Sequence, residues 1–275
     1  MSVDKNELAV DVVGLGAWGP GFNNWAELQT LLANPAGAEL DWTAQTPKPE
    51  IIPANERRRA PLPVRAAVEV SWQALQQSGL ASSDVACVFG SGLGDTEITD
   101  YMCRVLTTPE KQLSPTKFHN SVHNAAAGYW TISSGCMKAA NSIAAYQNTA
   151  GLALLEAMIQ CDQHQEPVLV TLFDTPAHDA YRQIFACKQG FAAAILLAPA
   201  GLATTPLARL TMAEESGAEA KVPVFPYAQL DQLYRDNPAA KLLGLLQQLA
   251  VKQSGQAVFA LSPRRQLNLS VSFFN

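Results

Sequence analysis

The segment NTAGLALLEAMIQ, residues 148–160, places the tightest constraint on how this chain folds. At helical spacing Ala150, Leu152, Ala153, Leu154, Leu155, Ala157, Met158 and Ile159 cover every face. Glu156 and Gln160 are the only long polar side chains after the first turn. A helix apolar all round must be buried on all sides. One sheet covers one side, so a second element has to cover the other. Short apolar runs at 142–146, 167–173 and 190–198 read as strands around this helix. Upstream, residues 8–15 (LAVDVVGL) read as a buried strand and 24–32 as a helix. Residues 35–63 form a proline-rich surface loop. A helix from Val64 to Gln77 stops at Gly79, and a strand at 84–89 runs into the glycines of FGSGLG. This alternation predicts an α/β domain, a mainly parallel mixed sheet with helices on both faces. From about Thr205 the pattern thins to a strand in PLARLTM, a helix near Pro238–Val251 and a terminal alternating strand, LNLSVSF. Residues 1–204 therefore read as the main unit, and 205–275 as an extension (strand, helix, strand) that completes or covers it.

Composition narrows the function classes. With 48% hydrophobic and 16% charged residues, the chain suits a large core or a large apolar interface, not disorder. A net charge of −5 gives nucleic acid no electrostatic handle. The five cysteines are scattered without a CxxC pair, which reads as reduced thiols and not as a disulfide frame or zinc site. No apolar run reaches the roughly 20 residues of a membrane span. The N-terminus lacks the layout of a signal peptide, so a cytoplasmic protein is expected. No cofactor and no metal are expected.

Several motifs carry a sharp reading and a bland one. Gly14-x-Gly16-x-x-Gly19 matches the dinucleotide fingerprint in form, but Pro20 and Gly21 delay any helix past the point where it would meet a pyrophosphate. A tight glycine turn is the expectation. His119 and His123, four apart, would share a face of a helix, yet no third ligand accompanies them. A polar or interfacial pair is expected there. His164 and His178 have no partner spacing. Glu56, Arg57, Arg58, Arg59 and Arg65 form a small basic cluster, which is either a solvated face or a docking patch for an acidic partner.

The run LSPTKFHNSVHNAAAGYWTISSGCMKAANSIAAYQNTAGLALLEA, residues 113–157, resembles the β-ketoacyl synthases of the thiolase superfamily. Ser114-Pro115, Asn124-Ala125-Ala126-Ala127-Gly128 and Ser142-Ile143-Ala144 fall into that family's register without a gap. The opening VVGLGAWGPG and the late Gly190-Phe191 strand resemble it more weakly. In the same register the family's nucleophilic cysteine falls on Gln147. A carboxamide has none of the chemistry of a thiolate activated by a helix N-terminus. The family's catalytic histidine pair belongs to a C-terminal thiolase half, and no histidine follows His178.

The resemblance therefore implies a thiolase-like N-terminal half with the C-terminal half missing, and no enzyme on its own. Glutamine for cysteine is the hallmark of chain length factors. The short length resembles the truncated ones of aryl polyene pathways. The implied partner is a catalytic β-ketoacyl synthase in an obligate heterodimer, met by an acyl carrier protein through that partner or the complex. The implied floor of the partner's acyl tunnel is drawn from Tyr101, Met102, Thr116, Phe118, Tyr129 and Trp130. The implied dimer interface comprises Asn124, Gly128 and the strand Ser142, Ile143, Ala144, Ala145 and Tyr146. Two other readings stay open: a decarboxylating ketosynthase of the loading type, and a stand-alone scaffold on the same fold.

Overall fold

The computed structural model describes residues 7–33, 41–213 and 222–274. Its centre is β1 (Ala9–Trp18), paired antiparallel with β5 (Phe191–Pro199) on one side and β6 (Ala208–Ala213) on the other. Beyond β5 come β4 (Val168–Asp174), β2 (Ala86–Gly90) and the edge strand β3 (Ala140–Ile143). Beyond β6 come β8 (Arg265–Ser272) and, at the opposite edge, β7 (Gly255–Ser262). All eight belong to one sheet.

Helices cover both faces, as expected. On one face lie α3 (Leu62–Ser78) and α6 (Ala125–Ser134), whose apolar sides form a core with Trp18, Cys87, Phe89 and Leu196. On the other lie α1 (Trp25–Ala33), α7 (Thr149–His164) and α9 (Leu243–Val251). Short helices α2 (Ala54–Arg57), α4 (Thr96–Leu106), α5 (Pro115–His119) and α8 (Ala228–Asp236) fill the connections. The helix ending at Gly79 is α3. Of the proline-rich loop, residues 35–40 lie outside the described residues, and its end carries α2 and the start of α3.

Strand direction departs from the expectation. Only β2–β3 and β2–β4 are parallel; the other five neighbouring pairs are antiparallel. A parallel return between neighbours needs a crossover, and α4 to α6 supply it between β2 and β3 as α7 does between β3 and β4. Between β4 and β5, and between β7 and β8, the chain turns back without an α-helix, and both of these neighbouring pairs are antiparallel.

The all-apolar helix finds its second cover where the extension lies. β7 packs across α7 so closely that a Cβ on Gly151 would stand 2.7 Å from the Ala260 carbonyl oxygen and 2.9 Å from Phe259 Cβ. The described residues after 204 thus continue the sheet and close over the helix; β8 is the terminal strand expected in LNLSVSF, and α8 and β7 are elements the sequence did not reveal. A buried ion pair fastens this part. Asp11 of β1, fully buried, takes the Arg209 guanidinium of β6 in two bonds, Nε to Oδ1 at 2.8 Å and a terminal nitrogen to Oδ2 at 3.1 Å. The Gly201 N–H donates to the same carboxylate at 2.7 Å.

The glycine fingerprint forms no turn at its first two positions. Gly14 and Gly16 lie inside β1, where α3 crosses: a Cβ at either would stand 2.1 or 2.0 Å from the carbonyl oxygens of Ala74 and Val70. They are glycines because a helix backbone rests directly on the strand.

Candidate functional site

The sheet edge at β3 and the head of α7 form one continuous piece of structure. The strand is shorter and earlier than residues 142–146, because the chain leaves the ladder after Ile143. Ala144 and Ala145 then lead into a 3-10 turn, Tyr146–Asn148. Tyr146 has a φ of 49°, a left-handed conformation that a side chain of its size rarely takes. Its surroundings hold it there. Thr149 Oγ1 accepts from the Ala145 N–H at 2.9 Å and donates to the Tyr146 carbonyl at 2.8 Å, and the Tyr146 ring packs on Phe185. Such strain persists where the neighbourhood over-determines it, and it concentrates at functional positions.

This strained turn delivers Gln147 to the N-terminus of α7. Its carboxamide oxygen is buried and has no hydrogen-bond partner. A cleft of about 360 Å³ opens beside it toward Gly151, Tyr234, Lys241 and Phe259. No thiol stands at this position.

Among the described residues β3 has no strand paired to its outer side. The carbonyls of Ala139 and Ile143 accept from the Cys87 and Ser91 N–H groups of the β2 side. The backbone groups of the alternate residues, Ala140 and Ser142, therefore face away from the sheet. The surface around this edge is apolar and open: Ile132 of α6 is 83% exposed and Met137 is 93% exposed, with Tyr146 and Ile159 partly so. Gly128 of α6 is half-buried, and among the described residues nothing lies within 4 Å of where its Cβ would stand. Asn124 occupies the N-cap position of α6, exposed and without a side-chain capping bond.

The remaining expected residues divide. Tyr101 and Met102 lie half-buried on α4, and Thr116 and Phe118 lie exposed on α5. The Tyr101 hydroxyl accepts from the Ser114 N–H at 2.9 Å, and Lys117 Nζ stands 3.8 Å over its ring, so α4 and α5 are clasped together. Tyr129 meets His119 edge-on. Trp130 belongs to the core: it is fully buried, with its indole N–H on Cys87 Sγ at 3.2 Å, and presents no surface to a partner. A cavity of about 230 Å³ lies between the start of α3, the loop 91–95 and the α5–α6 turn, lined by Leu93, Val122, Ala126 and Phe173 among others. None of the six expected floor residues lines it. His119 and His123 share no helix face, because α5 ends at His119; His123 Nε2 lies 3.2 Å from the Ser91 carbonyl. Among the described residues no group of three or more possible ligands is placed to hold a metal ion, and no helix is long and apolar enough to cross a membrane.

Sequence reasoning missed the buried hub beneath this cavity. Asp174, the last residue of β4, is fully buried. It accepts from Ser91 Oγ (2.8 Å) and from the N–H groups of Leu93 (2.8 Å), Gly92 (3.1 Å) and Ala239 (3.1 Å). Burial pushes its carboxyl up to about 6, against the pull of those donors. Asn237 donates to the Asp174 carbonyl at 3.0 Å, tying the start of the last helical region to the same point. The available signal was an acid closing an otherwise apolar strand, VLVTLFD.

The comparisons with known proteins bear on this architecture. None of the curated proteins compared with the chain matches it. Among solved structures it resembles a chain of the ketosynthase ApeO in complex with its chain length factor ApeC from Xenorhabdus doucetiae. That likeness has 20% identity and a TM-score of 0.69, covering 95% of this chain and 99% of that one. A chain of the ishigamide ketosynthase/chain length factor gives 14% identity and a TM-score of 0.70, over 97% and 100%. A β-ketoacyl synthase from Burkholderia phymatum STM815 gives 13% and 0.60, over 84% and 70%. At such identities the likeness shows the fold, a thiolase-like α/β arrangement, and the first two chains are matched from end to end. The model of the β-ketoacyl synthase N-terminal domain matches residues 25–254, and this chain belongs to that family.

Proposed function

We propose that the chain is the non-catalytic partner of a β-ketoacyl synthase, a chain length factor that closes the far end of the partner's acyl channel. The observation that carries the reading is Gln147. A strained turn and a helix N-terminus, the setting that would activate a thiolate, here present a carboxamide. The open β3 edge and the apolar surface beside it supply a place for the partner. An antiparallel pairing of β3 with its counterpart would satisfy the outward groups of Ala140 and Ser142. The unused space over Gly128 would let a second backbone approach α6. Asn124, Gly128, Ser142, Ile143, Ala144, Ala145 and Tyr146 then line the contact, and an acyl carrier protein meets the complex at the partner's side.

Val122 and Ala126, at the mouth and wall of the cavity behind the α5–α6 turn, are the positions best placed to stop a growing chain. Phe118, 57% exposed on α5, is the one bulky expected residue free to reach across a contact. A steric floor discriminates sharply, since a clash of about 1.4 kcal/mol disfavours one further chain unit roughly tenfold. Co-expression with ketosynthases should yield a stable heterodimer burying more than roughly 2,000 Å². In the reconstituted complex, Val122→Trp should shorten the products read by mass spectrometry, and Phe118→Ala should lengthen them. A cooperative monomer that binds no ketosynthase would overturn the assignment. Intact heterodimers with an unchanged length distribution would remove the floor from these residues.

A further inference from the structure

Two cysteines converge beneath the β3 edge. Cys87 lies on β2, in register with Ala140, and Cys136 lies in the turn between α6 and β3. Both are buried. Their sulfurs approach one acceptor, the Val85 carbonyl, at 3.6 Å for Cys87 and 3.2 Å for Cys136. The Trp130 indole N–H donates to Cys87 Sγ. The neighbouring Cys87 thiol, with the Lys138 backbone and ammonium nearby, makes Cys136 the more acidic thiol, while the nearness of Cys136 and burial push Cys87 well up. Cys161 and Cys187 make the contrast. Each is buried alone and pushed up to about 12, as an inert packing cysteine should be.

We propose that Cys87 and Cys136 form a redox-active dithiol that closes to a disulfide when the protein meets a hydroperoxide. The Cys136 thiolate attacks the outer oxygen of ROOH. The O–O bond breaks, Cys136 becomes a sulfenic acid, and ROH leaves with a proton. The Cys87 sulfur then attacks the sulfenyl sulfur; the S–S bond forms, the S–O bond breaks, and water departs carrying the Cys87 proton. In sum, two thiols lose two electrons while the hydroperoxide is reduced to an alcohol and water. The turn can supply the movement. Gly135 has a φ of 68° with nothing within 4 Å of its Cβ position, and the neighbouring Met137 side chain projects into solvent. Drawing the sulfurs to about 2.05 Å pulls this turn toward β2 and takes an acceptor from Trp130. Because the Cys87 N–H holds the Ala139 carbonyl, the first bond of the β3 ladder moves as well. Any effect on assembly rests on the reading of β3 as the contact edge; the disulfide itself does not.

The full-length chain, freed of reductant, is titrated with hydrogen peroxide and mapped by non-reducing peptide mass spectrometry. A Cys87–Cys136 linked peptide, reversible by dithiothreitol, should form roughly tenfold faster than oxidation of the exposed Cys103. In Cys87→Ser, Cys136 should stop at the sulfenic acid and be trapped by dimedone. The wild-type map suffices should that variant misfold. Complete oxidation of Cys103 while Cys87 and Cys136 remain free thiols overturns the proposal, whether or not the chain binds a ketosynthase.

Discussion

The sheet has two edges, and they are finished in different ways. β7 is eight residues long, breaks register between Ala260 and Ser262, and turns through Arg264 into β8. Its Gln256 carbonyl is taken by Gln248 Nε2 of α9 at 2.7 Å. Bulges, charge and a covering helix are the usual means of blunting an edge. β3 carries none of these: Ala140-Asn141-Ser142-Ile143 has no charge, no proline and no bulge, and its neighbours Ile132 and Met137 stand open. Only its shortness protects it. In the assembly we propose, the β3 edge is the one that is covered, whereas the β7 edge has its own covering within the chain.

The contrast predicts that the β7 side is held from within, through the buried pair that fastens β6 to β1. Arg209→Ala leaves the Asp11 carboxylate buried without its cation, which typically costs about 3–5 kcal/mol. Urea denaturation of the variant should show a loss of that size, the largest expected here. A loss below about 1 kcal/mol would mean that packing of the hairpin alone secures this edge.

The two edges were also unequally legible in the sequence. The β3 side carries its motif in one run, residues 113–157, so its register and the glutamine at the head of α7 could be read directly. The limits of the strand could not. Ala144, Ala145 and Tyr146 prolong the apolar run, but the strained turn at Tyr146 ends the ladder early. On the other side, β7 (GQAVFALS) is only weakly alternating and α8 is polar on most of its length, so both escaped periodicity. Asp11 inside LAVDVVGL was the available clue, since a charge within a buried strand demands a partner. Its partner, 198 residues away, is fixed by tertiary structure alone. The mistaken emphasis on parallel strands has the same root: direction depends on how the chain crosses between strands, and side-chain patterns do not record it.

Asp174 joins the two sides, holding the loop behind β2 and the N–H of Ala239 on one carboxylate. Its folded value of about 6 lies above the ordinary carboxylate value, so the folded state binds its proton more tightly than the unfolded one. The stabilisation is complete below the unfolded value near 4 and is lost as pH rises through 6, in all by roughly 3 kcal/mol. In Asp174→Asn this group no longer titrates. The stability gap between wild type and variant should therefore be widest near pH 4 and narrow by roughly that amount by pH 7. A gap independent of pH in urea titrations would refute the linkage.

The open edge can be tested without disturbing the sheet behind it. At Ser142 the backbone N–H points away from β2, so proline removes an outward donor and leaves the β2–β3 ladder intact. Ser142→Pro should change the stability of the isolated chain by less than about 1 kcal/mol, while weakening the heterodimer by roughly 10–100-fold. Affinity measured by titration of labelled subunits decides it. Unchanged affinity would mean that the partner docks elsewhere and that β3 is merely short.

The smallest effect is expected at Gln147, and its sign is informative. In the isolated chain the carboxamide oxygen is buried with no donor, a cost of about 1–3 kcal/mol against which the side chain's packing is set. Gln147→Ala removes both, so the stability of the chain alone should stay within about 1 kcal/mol of wild type or rise slightly. If a donor from the partner reaches this oxygen in the heterodimer, the same substitution weakens assembly by up to roughly tenfold. On the proposed function condensation should continue in either case, because the thiolate would belong to the partner. Gln147→Cys should likewise take no acyl group, as no histidine follows residue 178 to serve a nucleophile there. Opposite signs in the two stability measurements would identify Gln147 as an interface group kept unsatisfied until the partner arrives. A loss in the isolated chain equal to that in the complex would make it ordinary packing, and acylation of the introduced cysteine would show that this subunit retains chemistry of its own.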